Sequence, residues 1–80
     1  MNDKVNEVLN IVNEVIEGAN VDESMISQDL QELGMDSITF VKIIIEIEDN
    51  YDIEIPDKYL KIPDMNTVEK IAEVLAELTE

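Results

Sequence analysis

No cysteine, histidine or tryptophan occurs in this chain, and its aromatic residues are two tyrosines and one phenylalanine. Without cysteine there is no disulfide framework and no thiol, and with histidine missing as well there is no ligand set for zinc. A serine here has no imidazole to activate it, so hydrolysis of the Ser-His kind is excluded for the chain acting alone. Glycine is equally scarce: Gly18 and Gly34 are the only two, too few for a glycine-rich phosphate loop. Positive charge is thin. Five lysines stand against 20 acidic side chains, and the net charge of −15 repels nucleic acid and anionic membranes while favouring basic protein partners. No apolar run is long enough to span a bilayer, and Met1-Asn2-Asp3-Lys4 lacks the basic-then-apolar opening of a secretory signal. The expectation is a cytoplasmic protein with no membrane insertion.

What the chain does have is aliphatic side chains. They make up most of a 45% hydrophobic fraction, ample for folding 80 residues as one small domain, 1–80, despite the acidity. Val5, Val8, Leu9, Val12, Val15 and Ile16 recur at helical spacing, with Asn2 or Asp3 available as a cap and Gly18 as a left-handed stop. From Gly18 to Asp36 runs a long mixed connection. Its scattered Met25, Ile26, Leu30 and Leu33 predict a segment pinned across the bundle, with one helical turn around Gln28 to Glu32.

The second helix should run from Ser37 to Asn50 or Tyr51. Steps of about 100° per residue put Thr39, Lys42, Glu46 and Asp49 on one narrow polar stripe and leave the rest apolar. A helix so apolar should be covered by several neighbours. Ile38 and Ile45 project together beside the stripe, either as core or as an exposed patch next to Ser37. Asp52 to Pro56 alternates like a strand but has no partner, so it reads as an extended connector. Between Pro56 and Pro63 there is room for one or two helical turns, tethered to the core by Tyr59, Leu60 and Ile62, and a last helix begins near Asn66 with Glu69 three residues on, close to a capping box. The fold class is thus all-α: a small four-helix bundle, three main helices plus one short, with a long first loop.

Chemistry-bearing clusters are few. Glu46, Glu48 and Asp49 lie on a solvated helix face with no cleft implied, and the acids from Asp49 to Asp57 lack the glycine and terminal glutamate of a calcium loop. No metal site and no catalytic set of the chain's own is expected. One stretch stands apart: Leu33-Gly34-Met35-Asp36-Ser37-Ile38, where a polar loop ends at a glycine and a serine hydroxyl sits at a helix N-terminus. Unpaired N–H groups and the helix dipole favour a negative group there. Asp-Ser before an apolar helix is commonly no more than a cap, which leaves a purely structural, acidic interaction module as the rival reading. If Ser37 does chemistry, the catalyst comes from outside, as befits a protein that is modified and then delivered.

That stretch resembles the phosphopantetheine attachment motif of the acyl carrier protein family, and the likeness continues through Ile44, Ile47, Glu48, Tyr51, Ile53, Ile55, Pro56 and Asp57. The resemblance implies that Ser37 receives 4′-phosphopantetheine from coenzyme A, through a separate magnesium-dependent phosphopantetheinyl transferase, and that the arm's thiol holds an acyl group as a thioester. It further implies that Asp36 helps hold the magnesium or orient the transferase. The second helix, through Ile38, Thr39, Lys42, Ile45, Glu48 and Asp49, would be the face read by the transferase and by the ligases and synthases that load and use the cargo. A monomeric acyl carrier for fatty-acid, polyketide or related synthesis is the first expectation, and a discrete peptidyl or aminoacyl carrier the alternative. Thr39 and Lys42 stand where fatty-acid carriers often have Asp or Glu. Met35 stands where fatty-acid carriers often have Ala and peptidyl carriers Gly.

Overall fold

A computed structural model describes residues 3–79. Its helices are α1 (Asp3–Val15), α2 (Ser37–Tyr51) and α3 (Val68–Thr79), joined by 3-10 turns at Glu23–Met25, Leu30–Leu33, Asp57–Tyr59 and Ile62–Asp64. No strand occurs among the described residues. The capping expected of Asn2 or Asp3 concerns side chains outside the described residues.

Each helix buries the stripe its spacing dictates. Val8, Leu9, Ile11 and Val12 of α1 meet Phe40, Ile43, Ile44 and Ile47 of α2 and Val68, Ile71, Ala72, Val74 and Leu75 of α3 in one core. α1 packs against both other helices. At the head of α3 the cap differs from the Asn66 expectation. Thr67 is buried and its hydroxyl accepts the Lys70 backbone N–H at 3.1 Å, while Asn66 Oδ1 accepts from the Lys70 ammonium. Thr67 therefore satisfies the orphan donor, and the residue three places on is Lys70, so no capping box forms.

The long first connection is pinned, as its apolar residues require. Asn13 of α1 exchanges two hydrogen bonds with the Val21 backbone, at 2.9 and 2.8 Å. Leu30 N–H donates to the Asn66 carbonyl at 2.7 Å and Glu69 N–H to the Ile26 carbonyl at 3.0 Å, sewing the connection to the start of α3. The single turn expected around Gln28 to Glu32 appears as two, at Glu23–Met25 and Leu30–Leu33. Asp22 and Asp29 each start one by accepting a backbone N–H two residues on. Gly34 ends the second turn at φ +113°, a left-handed conformation that side-chain-bearing residues avoid. Met35 then inserts into the core at 4% exposure, which anchors the chain one residue before α2 begins.

Beyond α2, Asp52 adopts φ +54° and its N–H closes the helix on the Glu48 carbonyl. Asp52, expected to begin an extended connector, is instead a left-handed turn; residues 53–56 carry no regular structure, and Ile55 is buried. The one or two helical turns expected between the prolines are present as two 3-10 turns separated at Leu60 and Lys61, the second running one residue past Pro63. Pro63 lacks an N–H and disfavours a helical residue before it, so a continuous helix has no room to propagate.

Candidate functional site

Asp36 and Ser37 begin α2, but the cap is Asp36 alone. Its backbone is extended, and its Oδ1 accepts the Thr39 N–H at 2.8 Å. That backbone N–H, and after it the Thr39 hydroxyl, holds the Asp36 carboxyl below its usual 3.8, so it stays ionised at the positive end of the helix dipole. Ser37 is therefore relieved of the capping role the sequence allowed it. It occupies the first helical position with its side chain exposed.

Beside Ser37 opens an apolar groove of about 440 Å³. Phe40, Val41, Ile44 and Ile45 of α2 form one wall, and Leu60 and Ile62 of the connector between the prolines form the other. Glu48 also lines it, three turns or roughly 16 Å along the helix from Ser37. Its Oε2 accepts the Ile55 N–H at 2.9 Å, which ties the connector to α2 and keeps the far wall in place.

The sequence-derived residues separate into three groups. Asp36, Ser37 and Thr39 cluster at the helix start. Ile38, Lys42 and Ile45 are exposed along one flank. Glu48 is half-buried in its bond to Ile55, and Asp49 is exposed at the far end of α2. The expectation that neighbours would cover α2 on most sides is corrected. Ile38, Val41 and Ile45 are 69%, 53% and 50% exposed, while Phe40, Ile43, Ile44 and Ile47 are buried and α1 packs against α2. Val41 belongs with Ile38 and Ile45 by its i+3 and i−4 spacing, a signal present in the sequence. Leu60 and Ile62 gave no such signal, since their place opposite α2 depends on the path of the connector.

The arrangement suits attachment of a phosphorylated arm. An exposed primary hydroxyl stands where N–H groups and the helix dipole favour a phosphodiester, and an apolar groove runs away from it. Among the described residues no group of three or more acids is placed to hold a metal ion, and no helix is long and apolar enough to cross a membrane.

Comparison with known proteins gives the same picture. A family model described as "Phosphopantetheine attachment site" matches residues 5–75. The D-alanyl carrier protein of Streptococcus mutans is 37% identical over 73 residues, covering 90% of this chain and 90% of that protein. The acyl carrier protein of Campylobacter lari is 34% identical over 65 residues, covering 71% of this chain and 84% of that one. The mitochondrial acyl carrier protein of Saccharomyces cerevisiae is 45% identical over 42 residues, or 49% of this chain and 34% of that protein. No solved structure gives a significant match. With the family model spanning most of its length, the chain belongs to the phosphopantetheine-binding carrier proteins, whose cofactor is covalently attached 4′-phosphopantetheine.

Proposed function

We propose that Ser37 is the attachment point and that the chain is a non-catalytic carrier of acyl groups, acted on by separate enzymes. The observation that carries this is the exposed Ser37 hydroxyl at the first position of α2, beside an ionised cap and at the mouth of an apolar groove. In the modification, Ser37 Oγ attacks the coenzyme A phosphorus that bears the pantetheine. A P–O bond to serine forms, the pyrophosphate P–O bond breaks, adenosine bisphosphate leaves, and the serine proton passes to a base on the transferase. The attached group supplies a thiol on a long arm, which the chain itself lacks. The chain's own part is to present Oγ, stabilise the phosphodiester at the helix N-terminus, and offer Phe40, Ile44, Leu60 and Ile62 as an apolar bed for the cargo. Asp36, held as a carboxylate, would hold or orient the magnesium that the transferase brings, a role its charge supports.

A second reading is an aminoacyl cargo, favoured by the D-alanyl carrier protein of Streptococcus mutans, which matches over 90% of both chains. The partners are a phosphopantetheinyl transferase and loading ligases or synthases of either class. Incubation with coenzyme A, magnesium and a broad-specificity transferase should add one phosphopantetheine by intact mass to the wild type and none to Ser37→Ala. Addition to Ser37→Ala would move the site elsewhere. Subsequent loading by an acyl ligase or by an aminoacyl ligase separates the two cargo classes.

A further inference from the structure

At the opposite end of α2 from Ser37, α1 and the last turn of α2 enclose a second cleft, of about 290 Å³. Glu7, Asn10, Ile11 and Glu14 line it from α1, and Asn50 and Tyr51 from α2. None of these six residues takes part in attaching an arm to Ser37.

Two features distinguish the cleft from an ordinary acidic surface. The hydroxyl of Tyr51 is buried and has no hydrogen-bond partner, although a phenol can both donate and accept. A buried group left in that state costs stability, which a bound partner would restore. The other feature is the order of the lining. Glu7 and Glu14 are both exposed and stand seven residues apart on α1, two turns and roughly 10 Å along its axis. Between them along the helix come Asn10 and the buried Ile11. Asn50 donates its Nδ2 to the Glu46 carbonyl at 2.9 Å, so its Oδ1 is the atom left to accept. The α1 side of the cleft thus has a carboxylate at each end and an aliphatic side chain between them, and no lysine lines it. A bare metal ion does not suit it, since among the described residues no group of three or more acids is placed to hold one. The lining matches a linear cation with a charged nitrogen at each end of a short aliphatic stem, and the net charge of −15 draws such a cation in. A four-carbon diamine holds its nitrogens about 6 Å apart, and charge-assisted bonds of about 2.8 Å at either end let it span roughly 12 Å between oxygens.

We propose that this cleft binds a linear aliphatic diamine, with its ammonium groups on Glu7 and Glu14, its stem over Ile11, and the Tyr51 hydroxyl bonded to one of the nitrogens. The probe is butane-1,4-diamine, titrated into the chain at about 0.15 M NaCl and followed by backbone amide NMR shifts. The shifts should saturate and centre on residues 7–14 and 50–51. Ethane-1,2-diamine has the same two amines on a stem too short to reach both carboxylates, and should bind about fivefold more weakly or worse. Glu7→Gln combined with Glu14→Gln should weaken binding about tenfold or more. Glu73→Gln combined with Glu77→Gln removes the same charge from α3 and should change it less than about twofold. Tyr51→Phe should bind several-fold more weakly, yet without ligand it should melt a few degrees above wild type, because an unpartnered buried hydroxyl has gone. Equal affinity for the two diamines, or an equal loss in the α3 variant, would reduce the effect to net charge and overturn the proposal. So would shifts that fail to saturate, or Tyr51→Phe binding as wild type does. A Tyr51→Phe chain that melts below wild type would show the hydroxyl already partnered, and would overturn it too. None of these outcomes bears on Ser37, whose own test is the gain of mass.

Discussion

At the start of α2 the Asp36 carboxylate accepts the Thr39 N–H, so capping falls to Asp36 and leaves the proposed attachment residue, Ser37, without that role. Ser37→Ala removes an exposed hydroxyl with no capping duty, and its unfolding free energy should stay within about 0.5 kcal/mol of wild type while phosphopantetheine addition disappears. A larger loss in urea titration would show that Ser37 shares the cap. Asp36 makes a separate prediction about pH. Its carboxyl lies below the usual 3.8 when folded, so the unfolded chain takes up the proton first as the pH falls. The stability it contributes is therefore complete above about pH 4 to 5 and drains away as the pH drops through the folded value. The melting-temperature gap between wild type and Asp36→Ala should be full at neutral pH and shrink in acid. A gap that persists unchanged to about pH 2 would mean that the charge on the cap is irrelevant.

Among the elements, α2 carries isoleucine on both a buried and an exposed face. Ile47 is 1% exposed and Ile45 50%, though they are two residues apart and chemically identical. Ile47→Ala should cost about 2–5 kcal/mol through lost burial and a cavity. Ile45→Glu, by contrast, should cost less than about 1 kcal/mol at a surface position. Similar losses at both sites would show that the Ile45 face is covered. The turn that delivers the chain to α2 rests on Gly34, at φ +113°, where an added Cβ would also sit 3.4 Å from Ile16 Cγ2. Gly34→Ala should destabilise by about 1–3 kcal/mol through backbone strain, read as a lowered urea midpoint. An unchanged midpoint would mean that the turn relaxes without penalty.

For the molecule as a whole, charge is the dominant imbalance. Twenty acidic groups and five lysines share a body with a radius of gyration of 11.2 Å. The Debye length is about 30 Å at 0.01 M salt and about 10 Å at 0.1 M, so in dilute buffer every carboxylate feels every other. Raising NaCl from about 0.01 to 0.2 M should therefore raise the melting temperature by several degrees, because screening relieves the folded state's self-repulsion. A flat or falling response would show that the lysines already balance the field. The exposed face of α2 at Ile38, Val41 and Ile45 is the exception in this field, since α2 has no acidic residue from Ser37 through Ile45.

Local pattern was enough to place the three helices, to end the loop at Gly34 and to set Ser37 at the start of α2. These follow from spacing, glycine conformation and residue chemistry, which act over a few neighbours. The carrier family was legible from the run Leu33 to Ile38 and its continuation to Asp57. Tertiary structure decided what periodicity cannot. On a helix apolar everywhere but one stripe, the burial of Ile43, Ile44 and Ile47 and the exposure of Ile38, Val41 and Ile45 depend on where α1, α3 and the loop come to rest. The same holds for the groove, whose far wall of Leu60 and Ile62 is set by the Glu48 bond to Ile55 and by the broken turns between the prolines. Contacts between segments distant in the chain carry no local signature, so only the folded arrangement assigns them.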